Sequence, residues 1–182
     1  GLKVVVPSDP YTAKGLLIAA IRDDDPVMVF NNRQLMGFPW NTHVPEEAYT
    51  LPIGKANIAK VGTDITLVGL GFTTYLNLQA AEELEAEGIS AEVVDVLSAS
   101  PMDEETIVQS VQKTRSVVIV DEDYPRCSMA TDIAALVAEQ AFDYLDAPPK
   151  RINPPHTSIP YSRPLEALFL PTKDTVVAAV HD

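Results

Sequence analysis

Three consecutive aspartates, Asp23, Asp24 and Asp25, follow the end of a predicted helix. Carboxylate oxygens and the unpaired carbonyl oxygens of a helix C-terminus are ligands that hard cations prefer. The helix dipole disfavours negative charge at that end. The cluster is therefore either a solvated corner or a site that a bound cation neutralises, and the residues alone favour the solvated corner.

A second run of carboxylates, Asp121, Glu122 and Asp123, comes directly after a predicted buried strand. Ligands of open α/β sheets bind at the carboxyl ends of the strands, so this position suits a functional site. The same residues also suit a cap for the next helix or a solvated surface. These two structural uses are together favoured over a binding role.

The sequence contains no glycine-rich fingerprint of a dinucleotide site and no phosphate loop with its Gly-Lys-Ser/Thr ending. Residues 68–73 do place Gly69 and Gly71 between a predicted strand and a predicted helix. Helix N-termini favour anions, so the turn is a weak candidate for phosphate binding. A tight strand-to-helix turn is the favoured interpretation because the third glycine is missing.

Nucleophilic and metal chemistry have little support in the sequence. Cys127 follows Arg126 and opens a predicted helix, but no histidine is recognisably placed beside it. His43, His156 and His181 lie in predicted loops or at the terminus and lack metal-ligand spacing. A structural or incidental cysteine is favoured, and no catalytic residue is predicted.

Length and composition limit the class of protein. A chain of 182 residues fits one domain, or one domain with a large extension. The single cysteine excludes an internal disulfide framework. No apolar run reaches the roughly 18 residues of a membrane helix, and no secretory signal is expected. We therefore expect a cytoplasmic protein without membrane contact.

The chain is strongly acidic, with a formal net charge of −13. Such a surface repels the phosphates of nucleic acids at neutral pH, so a nucleic-acid partner is not expected. The same surface would attract a basic partner. The interpretation that the charge alone supports better is that the acidity only keeps the chain soluble.

The elements that carry these residues alternate between strands and helices. Residues 3–6, a helix begun by Ser8 or Asp9, and residues 27–30 form a predicted parallel βαβ unit. Residues 31–60 hold several prolines and glycines without a sustained period, so we expect a linker in which Trp40 serves as an anchor.

The alternation resumes after residue 61, with predicted strands at 65–70, 89–96 and 117–120. A predicted helix extends to about Glu87, where Gly88 suits the left-handed residue that ends a helix, and another runs from about Ser128 to Tyr144. Four β-branched residues in the last of these are typical of a strand covered on both faces. The predicted fold is α/β, an open and mostly parallel sheet with helices on both faces.

Several stretches of the sequence resemble one family, the β subunits of the thiamine-diphosphate-dependent 2-oxo acid dehydrogenases. The segments that resemble its pyrimidine-binding domain are residues 7–17 and 20–27, and those that resemble its interdomain linker are 44–47 and 49–54. Residues 121–122 and 125–133 are similar to the acetoin dehydrogenase branch, and residues 155–157, 160–162 and 165–166 agree with it. Pyruvate and branched-chain members usually have a glycine-rich turn where this chain has Arg126, Cys127 and Ser128.

The resemblance implies a division of the chain into three parts. Residues 1–32 would be the remnant of a pyrimidine-binding domain, 33–60 an interdomain linker and 61–182 a transketolase C-terminal-like domain. The family works as an α2β2 heterotetramer that binds thiamine diphosphate and Mg²⁺ between α and β subunits. The segments that supply its catalytic residues precede Gly1, so we expect this chain alone to be inactive.

Two sets of residues in this chain match positions that have a role in the family, and the resemblance implies the same roles here. A structural cation, K⁺ or another ion, would be held by the Ala20 carbonyl, Asp23 and Asp25. Asp146 would take part in docking to the basic subunit-binding domain of the lipoyl acyltransferase, which the acidic charge favours. The chain departs from the family in lacking the arginine usual after Asp95. A free-standing acidic binding or scaffold module without catalytic activity is the alternative hypothesis.

Overall fold

Three buried, parallel strands lie in the centre of the molecule and are covered by helices on both faces, as a computed structural model shows. The structure describes residues 1–38 and 42–182, so Trp40 lies outside the described residues. The strands are Lys3–Val5 (β1), Val27–Val29 (β2), Asn57–Lys60 (β3), Ile65–Gly69 (β4), Ala91–Asp95 (β5), Ser98–Ser100 (β6), Val117–Val120 (β7) and Lys150–Ile152 (β8). The helices are Pro10–Arg22 (α1), Phe72–Ala86 (α2), Glu104–Thr114 (α3), Met129–Gln140 (α4), Arg163–Phe169 (α5) and Lys173–His181 (α6), with 3₁₀ turns at Leu35–Gly37 and Phe142–Tyr144.

The strands form a large sheet and a small sheet. The large sheet has the order β3-β5-β4-β7-β8, in which β3 runs antiparallel at the edge and the other strands are parallel. The small sheet has the order β2-β1-β6, with β1 parallel to β2 and antiparallel to β6. The predicted α/β fold and the predicted parallel βαβ unit are both confirmed.

Alternate side chains of the central strands fill two cores. Val68, Val94 and Ile119 point towards α3 and α4. Leu67 and Val93 point towards α2 and α6 on the opposite face. A strand buried on both faces needs apolar residues at every position, which explains the continuous runs seen in the sequence.

The helix ends agree with the residues that cap them. The Asp9 side chain accepts a hydrogen bond from the Thr12 amide at the start of α1, and Thr12 completes a capping box. Asp103 caps α3 in the same way. Gly88, predicted as the left-handed residue after a helix, has φ of 88° just beyond α2.

The structure differs from the sequence predictions at the unpredicted strand β6 and at two further places. The end of the predicted linker, Asn57–Lys60, is the edge strand β3. The predicted helix through Tyr144 ends at Gln140, and a 3₁₀ turn follows. Both segments are short and half exposed, so their pattern lacks the period that reveals an element.

A buried ionic group lies inside the large sheet. Glu92 on β5 is 1% exposed, and its carboxylate accepts hydrogen bonds from Ser110 at 2.6 Å and from the Gly62 amide at 3.3 Å. The ammonium group of Lys113 on α3 pairs with it. A buried carboxylate is stable only when it is paired, so Lys113 holds α3 against the sheet.

We expect Lys113→Met to lower the free energy of unfolding by about 2 kcal/mol, because the Glu92 charge then stays buried without a cation. Urea unfolding measures this loss. Lys150→Met is the control, since Lys150 pairs with Asp182 on the exposed surface. The double variant Glu92→Gln/Lys113→Met should recover part of the stability. Equal effects of the two lysine substitutions would contradict the expectation.

Candidate functional site

The carboxyl ends of β4, β5 and β7 form the edge at which a sheet of this kind binds ligands. After β4 the chain enters α2 on one face of the large sheet, and after β7 it enters α4 on the other face. Loops that leave in opposite directions open a crevice between them, which is the usual ligand site. In this chain the residues that follow β1 and β2 contact that edge.

Asp95, the last residue of β5, is held by hydroxyl groups from two directions. The carboxylate is 1% exposed, and Ser8 Oγ from the N-terminal segment donates a hydrogen bond to Oδ2. Thr74 Oγ1 on α2 donates to Oδ1 at 2.9 Å. Burial raises the pKa of Asp95 to about 7 and the negative charge of nearby Asp9 adds to the rise, while the hydrogen bonds from Ser8, Thr74 and the Leu97 amide oppose it only in part.

Glu122 makes a second contact of the same kind just after β7. The Asn32 amide, which follows β2, donates a hydrogen bond to Glu122 Oε2 at 2.7 Å. Burial raises the pKa of Glu122 to about 7, and the charge of Asp121 adds to the effect. Sequence reasoning missed this role of Glu122. No local pattern signals it, because Asn32 lies 90 residues away.

The remaining residues of this carboxylate run have structural uses. Asp121 Oδ2 accepts a hydrogen bond from the Ala130 amide in the first turn of α4 at 3.0 Å, as the predicted cap requires. Its Oδ1 accepts one from the Asp123 amide, and Asp123 is exposed. The run is therefore divided between a helix cap, an inter-segment contact and the surface.

The glycine turn at residues 69–71 is closed to phosphate. The Thr73 hydroxyl accepts a hydrogen bond from the Leu70 amide and lies 3.2 Å from the Leu70 carbonyl oxygen. A side chain at Gly71 would begin 3.0 Å from Val6 Cγ1. The turn is thus a tight strand-to-helix connection, and these residues do not fit the diphosphate of thiamine diphosphate.

The described residues offer no catalytic constellation. The structure places Cys127 on the surface with φ of 54°, and the His156 ring packs edge-on against Tyr124 with centroids 5.6 Å apart. In residues 1–38 and 42–182, no three His, Cys, Asp or Glu side chains gather in a way that could hold a metal ion. No helix in the same part of the chain is long and apolar enough to cross a membrane.

The residues predicted to hold a cation face an ammonium group of the chain itself. Lys3 Nζ on β1 lies 2.7 Å from Asp23 Oδ1 and 3.0 Å from Asp25 Oδ2. The Lys3 hydrogen bond lowers the pKa of Asp23. Ala20 lies one turn earlier, within α1. The cation site at Ala20, Asp23 and Asp25 stays a prediction, with Lys3 as a competitor for the two carboxylates.

Asp146, predicted to dock a basic partner, lies on the surface beyond α4. The Arg115 guanidinium donates to both of its oxygens, with Nε at 2.9 Å and Nη2 at 2.6 Å. This hydrogen bonding lowers the pKa of Asp146. The side chains of both residues remain more than half exposed, so the pair is accessible to a partner. The docking role of Asp146 stays a prediction.

Fold and site together define an open α/β module whose ligand-binding edge is contacted by its own N-terminal segment through Ser8 and Asn32. A family model described as "Transketolase, C-terminal domain" matches residues 54–176. The chain belongs to this family, and the predicted transketolase C-terminal-like fold is confirmed.

The comparisons with curated proteins agree with the resemblance seen in the sequence. The chain is 52% identical over 178 residues to the "Acetoin:2,6-dichlorophenolindophenol oxidoreductase subunit beta" of Bacillus subtilis, covering 98% of this chain and 52% of that protein. The protein of the same description from Cupriavidus necator is 48% identical, again over 98% of this chain and 52% of its own length. Identity to the "Pyruvate dehydrogenase E1 component subunit beta" of Bacillus subtilis is 42%, over 97% of this chain and 54% of that protein. The chain therefore spans about half the length of these relatives.

A solved structure extends the likeness to three dimensions. The protein described as "Split gene transketolase, inactive beta4 tetramer" has a TM-score of 0.80 and 29% identity, and the match covers 99% of this chain and 57% of that one. The predicted resemblance to β subunits, with the acetoin branch ahead of the pyruvate branch, is confirmed.

The two raised pKa values predict a pH dependence of stability. Between about pH 4 and pH 7 the unfolded chain releases protons that Asp95 and Glu122 keep in the folded state. Stability due to these groups is therefore greatest below pH 4 and falls as pH rises to 7, by at most about 1.4 kcal/mol per pH unit for each group.

We expect Glu122→Gln to remove the contribution of Glu122, so that the variant gains stability relative to the unmodified chain as pH rises from about 5 to 8. Urea unfolding at several pH values measures the difference. Glu139→Gln is the control, since Glu139 is exposed on α4. A difference that does not change with pH would contradict the assignment.

We also expect Lys3→Met to lower the melting temperature in choline chloride, because Asp23 and Asp25 then face each other without a cation. Potassium chloride should restore part of the loss if the two carboxylates bind K⁺. Lys55→Met is the control, because Lys55 makes only a long contact of 3.6 Å to Asp103. Equal melting temperatures of the Lys3 variant in the two salts would argue against the cation site.

Proposed function

We propose that this chain is the C-terminal part of the β subunit of a thiamine-diphosphate-dependent acetoin or 2-oxo acid dehydrogenase, used for subunit assembly and docking. The observation that carries the proposal is the way the N-terminal segment covers the carboxyl edge of the large sheet. Ser8 and Asn32 bond to Asp95 and Glu122 where a substrate or cofactor would bind, and a small cavity of about 230 Å³ remains beside Asp95. The module therefore serves interactions rather than chemistry.

The proposal assigns the chemistry to other parts of the intact enzyme. Thiamine diphosphate and Mg²⁺ would bind between this β subunit and an α subunit, through the half of the relatives that this chain does not match. Residues 1–32, 33–60 and 61–182 would be the pyrimidine-domain remnant, the linker and the C-terminal domain. The apolar contact of Val5, Leu16 and Leu97 supports a rigid junction between the first and last of these parts.

Exposed apolar side chains support the assembly role, with an α subunit and a second β subunit as partners. Large apolar patches on a surface mark interaction sites. Leu17 and Met36 are 46% and 73% exposed, and they line a groove of about 360 Å³ beside α1. Tyr161 and Leu168 are also exposed, in the segment that leads through α5. We place the assembly in the cytoplasm.

The activity experiment compares this chain with a full-length β subunit of a relative. Each is mixed with the α subunit, thiamine diphosphate and Mg²⁺, and acetoin-dependent reduction of 2,6-dichlorophenolindophenol is measured. We expect activity with the full-length subunit and none with this chain, because its N-terminal segment covers the ligand edge. A rate above background with this chain would overturn the proposal.

The docking experiment measures affinity for the basic subunit-binding domain of the lipoyl acyltransferase. We expect Asp146→Asn to weaken binding about tenfold, because the partner loses an exposed charge contact. Arg115→Ala should strengthen binding, since it frees Asp146 from its present ion pair. Asp143→Asn is the matched control on the neighbouring 3₁₀ turn. No binding by the unmodified chain, or equal losses in the two aspartate variants, would favour a scaffold that never joins such a complex.

A further inference from the structure

A small polar cavity lies beside Asp95, between the N-terminal segment, β3 and α2. Its volume is about 230 Å³. The residues that line it are Ser8, Asp9, Thr12, Thr42, Asn57, Ala59, Thr74, Tyr75, Leu78 and Asp95. It shares Asp9 with the groove beside α1, and Asp146 is not among its lining residues. Its walls come from the segment that leads into α1, from β3 and β5 of the large sheet, and from α2, so several elements of the fold define its shape.

The charges around this cavity are unbalanced. Two carboxylates line it, and no Lys, Arg or His belongs to the described lining. Asp95 is buried and is bonded by the hydroxyl groups of Ser8 and Thr74, and it forms no salt bridge with a described residue. A buried carboxylate normally has a cationic partner, so this one lacks a counter-ion.

Asp9 adds free acceptor capacity at the same cavity. Its Oδ1 accepts the hydrogen bond of the Thr12 amide at 2.7 Å, while Oδ2 accepts none from the part of the chain that the structure describes. Asp9 is half-buried, in contrast to Asp95 at the base. The cavity therefore combines one enclosed carboxylate with a second that keeps an oxygen open.

We propose that this cavity binds a small aliphatic primary amine in its ammonium form. An ammonium group has three N–H donors and no acceptor, which complements carboxylates and hydroxyl oxygens. Leu78 and Ala59 provide apolar wall for a short carbon chain. The cavity lies at the same edge of the large sheet as the Ser8–Asp95 contact, but the proposal does not rest on the function in assembly and docking.

The volume favours an organic ammonium ion over a bare metal ion. A water molecule takes about 30 Å³ of liquid, so the cavity has room for about seven waters or a ligand of similar size. A single alkali ion would leave most of that space to water. An amine with two to four carbons would fill it and bring the positive charge to Asp95.

The experiment uses propylammonium chloride as the probe in calorimetric titration and thermal unfolding at about pH 8, where the amine is protonated. We expect saturable binding and a rise in melting temperature. 1-Propanol tests the carbon chain without the charge, and potassium chloride at equal ionic strength tests the charge without the chain. Equal effects of propylammonium and potassium chloride would overturn the proposal.

Two variants locate the site. Asp95→Asn removes the enclosed charge, and Asp9→Asn removes the open one while keeping a side chain that caps α1 as well as aspartate does. We expect each to weaken propylammonium binding at least tenfold. Asp24→Asn is the matched control at an exposed position. If Asp95→Asn fails to fold, Asp9→Asn alone decides, and unchanged affinity in that variant would overturn the proposal.

Discussion

The corner between β5 and β6 is the constraint on which the arrangement of this molecule depends. β5 belongs to the large sheet and β6 to the small one, and only Val96 and Leu97 separate them. Leu97 has φ of 55°, a conformation that costs an ordinary residue on the order of 1 kcal/mol. Its burial against Val5 and Leu16 offsets that cost. Because the corner is rigid, β1 is held beside the carboxyl edge of the large sheet, and the residues that follow β1 and β2 reach that edge.

This junction changes what the edge of the large sheet can do. In an open α/β sheet the edge accepts ligands because its polar groups need partners. Here the Val6 amide bonds to the Leu97 carbonyl at 2.8 Å, and Ser8 and Asn32 supply donors to two carboxylates. Those donors are neutral, so they satisfy hydrogen bonding without balancing charge. Burial therefore raises the pKa of Asp95 and of Glu122 further than these neutral donors lower it, and the edge is a seam between two segments of the chain.

The parts of the fold that sequence predicts are those that local physics determines. The β-branched run of β7, the Asp9 cap and the left-handed Gly88 each depend on neighbouring residues, and each was predictable. The strands β3 and β6 were not, because they are short and pair with distant segments. The candidate site was hard to predict for the same reason, because its contacts join distant segments of the chain. The sequence placed carboxylates at the carboxyl ends of predicted strands, which is the edge where the site lies. Ser8, however, lies 87 residues from Asp95 in the chain, and no local pattern connects the two residues. The pairing of Lys3 on β1 with Asp23 at the end of α1 was not indicated by any local pattern either.

The carboxylates of Asp23 and Asp25 differ from that of Asp95 in the groups that bond to them. The bonding partner determines whether a carboxylate remains available to an external cation. At Asp23 and Asp25 the chain supplies its own ammonium group from Lys3, so any external cation must displace a tethered one. At Asp95 the described residues supply only neutral donors, two hydroxyl groups and the Leu97 amide, and a cavity remains beside the carboxylate. Tethering makes the first pairing effectively intramolecular, whereas the second must draw its cation from solution. A chain with 26 acidic and 13 basic side chains cannot pair all its carboxylates internally. We therefore expect external cations at carboxylates that are bonded by neutral donors and not by a lysine or an arginine.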